Sequence, residues 1–554
     1  MAAWVLPLGI LLLLPSPVPA PCHIAKGSEC QRARRLVPGV ELAGEGVDVT
    51  TLQRSGYILV DRKRLRRSDG TCTLCRNTQK PGSLWLLPLA FTDWRAQGAA
   101  CQRQVIKTNI VSTEGVANEL AKSITNNWKL GLDVNVKPDS NTHVTMAGSH
   151  SKAANFAAEK THQDQYSFSR DLVECRFYSF RVVHDPPLHP DFKRAIKDLP
   201  PHFNTSTEPD YFRLISNYGT HFTRAVHLGG QVSAITALQT CKLALEGLSS
   251  NEVSDCLDTE AALSIGSIIS SSSEVKACEE KKRQHKMTAS FHQVYRERYS
   301  EVIGGHHTSM PDLLFGTQAG PEQFTNWMTS LQDNPGLVDY SLEPLHILVK
   351  KENPRREALR RAVSKYVRGR ARWRNCSQSC PPGQWKNPRN PCQCMCPASG
   401  VTNQDCCPRE KGLAQLKVEK FQATGLWGDN TTPTDAYLKV FFGTREQRTN
   451  TVWNNNNPTW TIKLDFGDVR LSTAEHLKVE VWDADYGWDD DLLGVCDKAL
   501  HSGTHEVNCK LSHGQLTFQY HAKCLPHLTG NTCREYAPQK RLGEPPGNQS
   551  GAVW

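Results

Sequence analysis

The chain has 554 residues and a formal net charge of +9, with 38% hydrophobic and 22% charged residues. That length exceeds what one hydrophobic core supports and predicts about two to four domains. The composition excludes a disordered chain, and the mild basic excess reads as a solvated face that gives no ground for a nucleic-acid partner.

An apolar run from Trp4 to Leu14 is followed by prolines and by small residues at Val18 and Ala20. It is too short to span a bilayer and reads as a signal peptide over 1–20, cleaved near Ala20. The 20 cysteines that accompany it are then expected in disulfides. The close pairs Cys22/Cys30 and Cys72/Cys75 suggest a stapled N-terminus. Sequons at Asn204, Asn375, Asn430 and Asn548 agree with secretion, and Asn204, Asn375 and Asn548 are the candidate glycan sites. No later stretch has the roughly 18 consecutive apolar residues that a spanning helix needs.

A cysteine-sparse region, 21–374, follows. It holds two segments with period-two alternation on both sides of a polar stretch. The first opens with Leu132, Val134 and Val136, continues at Val144 and Met146, and closes with Tyr166 and Phe168. Between them, Ala153, Phe156 and Ala157 share a helix face. The second opens with Leu257, Ala261, Leu263 and Ile265 and resumes with Met287, Ala289 and Phe291, around a serine-rich and charged stretch from Ser270 to Arg283. Each segment could turn apolar side chains outward and polar ones into a channel, as a transmembrane strand of about 9–11 residues requires. Ordinary half-buried strands with surface helices are the plainer reading.

Between the two segments stands Tyr218-Gly219-Thr220-His221-Phe222, then Gly229-Gly230 after six residues. Paired glycines permit a sharp bend or close backbone approach within a sheet. No companion spacing makes His221 a metal ligand or catalyst, so it reads as a packed structural histidine. The whole string resembles the signature of the membrane attack complex/perforin family. The resemblance implies a bent, twisted antiparallel sheet flanked by two clusters of small helices. On membranes those helices unwind into β-hairpins, and many protomers join into one large barrel. Two open hairpins could not cross lipid alone, because their edges would leave backbone groups unpaired in hydrocarbon.

Seven cysteines then fall within 32 residues: Cys376, Cys380, Cys392, Cys394, Cys396, Cys406 and Cys407. So little apolar residue separates them that disulfides must hold the segment. It resembles an epidermal-growth-factor-like module over 375–408. Seven is odd, so one cysteine should reach elsewhere.

The region 412–534 reads as short strands separated by turns. Asp429 and Asp435 flank one turn, and Asp483, Asp485 and Asp491 a second that also holds Asp489 and Asp490. Calcium takes six to eight oxygens, often from carboxylates, and two loops at one end of a sandwich can gather these. Without a cation the charges repel. The motifs, with Asn457-Pro458-Thr459-Trp460 between them, resemble a C2 domain. This implies an all-β sandwich that docks on lipid with calcium, with Asp429, Asp435, Asp483, Asp485 and Asp491 as ligands and Asp489, Asp490, Asn454 and Gly428 as lesser candidates. Trp427, Trp453, Tyr486 and Trp488 lie in or beside the loops, and such aromatics favour the membrane interface. A Pro- and Gly-rich tail, 535–554, reads as extended or disordered.

The order of these regions is that of the perforin branch of the family; the complement members lack the C2 domain. The resemblance therefore implies a multidomain α+β protein, secreted from cytolytic granules. It would dock on phospholipid of a target cell with Ca2+, assemble as a homo-oligomeric ring, and lyse the cell or deliver granule proteases. Calcium ligands must be deprotonated, so an acidic granule would weaken the site. No catalytic residues are expected: there is no G-x-S-x-G elbow, H-E-x-x-H or P-loop. A non-lytic adhesion protein and a lipid-targeted phospholipase are the alternatives.

Overall fold

The computed structural model describes residues 21–539 except 81, 102–104, 123, 136–141, 267–271, 307–311, 318, 377–378, 389, 429–431, 473 and 486–488. The signal segment, Asp429, Asn430, Tyr486, Trp488 and Asn548 therefore lie outside the described residues.

The N-terminus is stapled as the cysteine pairs suggest, by Cys22–Cys75 and Cys30–Cys72, on a small three-stranded sheet. Most of the large sheet that follows comes from β1 (Phe91–Cys101), β2 (Ile106–Ile110), β3 (Tyr166–Val182), β4 (His221–Gln239), β5 (Arg298–Ile303) and β6 (Gly336–Pro344). β3 and β4 are long and pair antiparallel from Tyr166↔Gln239 to Arg181↔Ala225, with a bulge between Arg176 and Tyr178. Each pairs in succession with shorter strands, and β4 also meets Glu45–Asp48 at His221 and Phe222. β3 pairs with β1 along its second half and with β2 along its first. β4 pairs with β6 from His221 to Gly229 and with β5 from Gln231 to Thr236.

Gly229 and Gly230 sit where β4 changes partner. A Cβ on Gly229 would come 1.9 Å from the Cys175 carbonyl oxygen, and one on Gly230 would come 2.5 Å from the Trp327 and Leu331 side chains. A larger residue at 229 would push the strands apart, and one at 230 would displace the helix residue Trp327 and its neighbour Leu331, at the level where the sheet changes partner.

Two helix clusters interrupt this sheet at one end. α1 (Thr113–Ala121) and α2 (Lys152–Gln163) lie between β2 and β3; α3 (Thr240–Leu245), α4 (Ser250–Ser264) and α5 (Ser272–Gln284) lie between β4 and β5. α1 begins at Ser112, whose hydroxyl accepts from the Gly115 N–H, and α2 at Ser151, which accepts from Ala154. Ala153 and Ala157 are buried against Ile110, Tyr166, Phe168 and Ile235 of the sheet, with Phe156 at the margin.

The second alternating segment is helical here, which corrects the plainer reading of Leu257–Ile265 as an ordinary half-buried strand. Ser249 and Glu252 form a capping box at its start. Val253, Leu257, Ala261 and Ile265, four apart, are all fully buried on one helix face. Met287 and Ala289 lie in a loop, and Phe291 opens a single helical turn. α5 buries only Cys278 and is held to α4 by Cys256–Cys278, by Lys281–Glu252 and by Lys282–Glu260.

The cysteine-rich module carries Cys380–Cys394 and Cys396–Cys406. The odd cysteine is Cys407, which bonds to Cys241 in α3. The last region is a two-sheet sandwich of β7 (Leu413–Thr424), β8 (Ala436–Phe442), β9 (Arg445–Arg448), β10 (Leu464–Arg470), β11 (His476–Asp483), β12 (Asp491–Ala499), β13 (Gly503–Lys510) and β14 (Gln515–Cys524). β8 lies between β9 and β11, with β12 beyond β11; β7 pairs with β10 and β14, and β14 with β13. Its separate core includes Val418, Phe421, Leu438, Val479, Val481 and Phe518.

Candidate membrane-docking and membrane-inserting sites

The acidic residues gather at one end of the sandwich because of strand register. Ala436, Asp483 and Asp491 are cross-strand neighbours on β8, β11 and β12. Along β11 the inward positions are Leu477, Val479, Val481 and then Asp483. Period-two alternation thus sends a carboxylate into the mouth of the core, where it is 4% exposed.

The loops close around this group. The Asp435 N–H donates to Asp483 Oδ1 at 2.6 Å, and the Asn454 N–H to Asp435 Oδ1 at 2.6 Å. Asn454 is left-handed at φ 53, a conformation asparagine tolerates better than most residues. A Cβ on Gly428 would fall 1.7 Å from Asp483 Oδ2, so only glycine lets the first loop approach that oxygen. Asp490 accepts from Tyr437 Oη at 2.6 Å and from the Asp485 N–H at 3.2 Å. The Tyr437 hydroxyl bond holds its carboxyl below the usual range, despite some burial. Asp490 thus acts as a clamp within its own loop.

Among the described residues no three acidic, histidine or cysteine side chains converge on one metal-sized point. The donor set nevertheless fits calcium in kind: carboxylates at adjoining strand ends, with Asp483 Oδ2 at the glycine cradle. Asp435, Asp483, Asp485 and Asp491 are the described residues that would hold it, and Asp489 stands in the same loop.

Trp427 is 52% and Trp453 58% exposed beside these loops. Leu492 is also exposed, next to Asp491; the sequence hid it because Leu492-Leu493-Gly494 reads as strand core. Asn456 was missed as well, and Asn457 of the Asn-Pro-Thr-Trp turn has a contact that the motif alone does not show. Asn456 Oδ1 accepts from the Thr434 N–H and hydroxyl, and Asn457 Oδ1 from the Gly425 N–H. The asparagine run thus holds both ends of the first loop. Asn204 is exposed, as a glycan site requires, while Asn375 ends a strand.

The signature string organises the other site. Tyr218 ends a helix and is 8% exposed; Gly219, at φ 82, lies against the Val47 backbone. The Thr220 hydroxyl accepts from the Val49 N–H, and Phe222 is buried. His221 is fully buried, with Nε2 donating to the Trp128 carbonyl and Nδ1 facing Thr220 Oγ1, each at 2.7 Å. Burial pushes its pKa to about 3, so it stays neutral. It is a latch joining β4 to the segment that precedes the first helix cluster's α2.

Under the second cluster, Asp171 of β3 is fully buried and neither carboxylate oxygen has a hydrogen-bond partner; Asp258 Oδ1 of α4 is likewise unpaired. Burial, then the neighbouring Asp258, pushes Asp171 up to about 8, against Arg298 and Lys107. Asp164, where α2 passes into β3, is also fully buried but satisfied. It accepts from Tyr536 Oη, from the Gln539 N–H at 3.1 Å and from Gln239 Nε2 at 3.2 Å, with His527 Nδ1 3.4 Å away. Glu535–Gln539, assigned by sequence to the extended tail, is therefore docked, and Glu535–Tyr536 pairs with Leu528–Thr529.

A family model for the MAC/Perforin domain matches residues 32–374, one for the C2 domain residues 414–513, and one described as Perforin-1-like, EGF domain, residues 375–409. The chain is 67% identical to Perforin-1 of Homo sapiens over 555 residues, covering 100% of each. The chain belongs to the membrane attack complex/perforin family. It is also 62% identical to Perforin-1 of Mus musculus over 554 residues, again covering 100% of each. A more distant relative, Complement component C6 of Bos taurus, is 25% identical over 292 residues, which are 51% of this chain and 30% of that one. As a member of this family the chain is a secreted pore-forming protein that oligomerises in target membranes, and not an enzyme.

Proposed function

We propose that the sandwich docks on target-membrane phospholipid in a calcium-dependent way and so delivers the pore-forming region to the bilayer. The observation that carries this reading is the meeting of the acidic loops at Asp483, with exposed Trp427 and Trp453 beside them. Asp435, Asp483, Asp485 and Asp491 would hold the cation together with Asp429 of the first loop. Bound calcium would cancel the carboxylate repulsion and attract phosphate headgroups. The tryptophans then enter the interfacial layer, where an indole has both an apolar face and a hydrogen-bonding partner.

Once protomers are held on one surface, the helix clusters unwind into hairpins that pair between neighbours. No helix among the described residues is long and apolar enough to cross a membrane, so strands must do so, and a ring that closes leaves no strand edge in lipid. Storage in cytolytic granules and passage of granule proteases follow from this reading. Acid would weaken a site whose ligands must be deprotonated.

The test is release of size-graded dyes from liposomes at neutral pH, with and without calcium. The Asp429→Ala, Asp435→Ala double variant is the control. Calcium-dependent release of large dyes, lost in the variant, is expected. Equal release without calcium would overturn the docking role, and binding without release would make this an adhesion protein.

A further inference from the structure

The two ladders that flank the helix clusters fix more than the place where each hairpin starts. β4 and β5 pair without slip from Gln231↔Ile303 to Thr236↔Arg298. Cys256 lies twenty residues beyond Thr236, and Cys278 lies twenty residues before Arg298. Continued at the same register, the ladder would set these two cysteines directly opposite one another. They are already joined, with Cα atoms 5.5 Å apart. That is about the spacing of a hydrogen-bonded antiparallel pair, so the link needs no reduction to fit a hairpin.

The first ladder behaves alike. β2 and β3 pair from Ile106↔Leu172 to Ile110↔Phe168. Leu132 and Met146 are each twenty-two residues from the Ile110↔Phe168 pair, and Val134 and Val144 each twenty-four. Apolar residues therefore meet apolar residues. In the second ladder the fold-back would come beside Gly266, a residue type that makes turns.

We propose that each helix cluster re-forms as an unslipped continuation of its ladder, with Cys256–Cys278 kept as a cross-strand link on the lumen side of the second hairpin. The inference rests on the pore-forming reading and adds which side chains meet lipid. In the second hairpin these are the odd-numbered residues: Leu257, Ala261, Leu263 and Ile265 on one arm, Val275 and Ala277 on the other. The even-numbered face carries Asp258, Glu260, Glu274 and Lys276 with the disulfide. In the first hairpin the lipid face is even-numbered, with Trp128, Leu130, Leu132, Val134, Val144 and Met146, and the odd face is polar. The apolar run 257–265 has the length of a membrane strand. Asp255 opposite Glu279 marks its outer limit, which puts the disulfide at the bilayer rim.

Residues 272, 273, 274, 276 and 277 are exposed on α5 and 275 is partly so, which makes the segment open to a cysteine scan in the full-length protein. Each of Ser272, Ser273, Glu274, Val275, Lys276 and Ala277 would be replaced singly by Cys and labelled with a polarity-sensitive fluorophore. The proteins would then be added with calcium to dye-loaded phosphatidylcholine liposomes. Blue-shifted emission at 273, 275 and 277, against water-like emission at 272, 274 and 276, is expected. Non-reducing peptide mapping of the pores should recover Cys256–Cys278 intact. Dye release with inverted or non-alternating labels, or with free thiols at 256 and 278, would overturn the register and leave the pore reading in place. Calcium-dependent binding with no release from any variant, or from the parent protein, would overturn the pore reading beneath it.

Discussion

Asp171 shows what a single side chain can store. Its carboxyl is fully buried with neither oxygen hydrogen-bonded, close to Asp258 and facing Arg298 and Lys107. Its pKa lies near 8 in the fold, against an ordinary value near 4 when unfolded. The native state therefore holds a proton that the unfolded state has lost. Stability is greatest below about pH 4, falls as pH rises toward 8, and is level above that. Asp171→Asn should remove this slope. Compared by thermal melting, the variant should gain more over the parent at pH 7.5 than at pH 5.5, by up to about 3 kcal/mol. At the other end of the molecule, Gly428→Ala would set a methyl group on Asp483 Oδ2. Liposome sedimentation should then show loss of calcium-dependent binding while the circular dichroism spectrum is unchanged. Sequence pattern located Asp435, Asp483 and Asp491 because turn aspartates beside alternating strands are visible in one dimension. It could not reveal that the Asn454 and Asp435 amides turn on the neighbouring carboxylates, since those contacts join residues 19 and 48 positions apart.

At the scale of elements, the second alternating segment explains itself. Leu257, Ala261 and Ile265 are four apart. That spacing keeps side chains on one face of a helix and, being even, also on one face of a strand. A chain that must be helical in water and extended in lipid needs such a doubly valid pattern, and sequence reasoning met only one half of it. The capping box at Ser249 tips the balance toward helix in the soluble form. Ser249→Ala should cost about 1 kcal/mol of helix stability. If unwinding of α4 limits the rate, dye release should quicken by up to about fivefold, read by stopped-flow fluorescence on liposomes. The sheet was legible at Gly229-Gly230, where paired glycines mark the change of strand partner. The change itself was not, because it depends on β5 and β6, which follow far along the chain.

At the scale of the whole molecule, sequence spacing predicted that a link between regions exists but not where it goes. The odd cysteine of the knot had to leave the module, but its destination, Cys241, is 166 residues away. Asp164 was invisible beforehand, because its partners Tyr536 and Gln539 lie 372 and 375 positions further along the chain. In the fold it binds Tyr536 and Gln539, which follow the sandwich in the chain. Tyr536→Phe removes one of these donors from a buried carboxylate. It should lower the melting temperature by a few degrees, corresponding to about 1–3 kcal/mol, and raise protease sensitivity at the α2–β3 junction, as limited proteolysis would report.

The same contact has a consequence for how the protein is made. Asp164 leaves the ribosome more than 350 residues before its partners Tyr536 and Gln539. Until they arrive its buried charge lacks those donors, so the first helix cluster cannot settle fully on the sheet during translation. A nascent chain that stalls after the pore-forming region would expose that junction to folding helpers and quality control. Completion of the α2–β3 junction thus waits for residues 536–539.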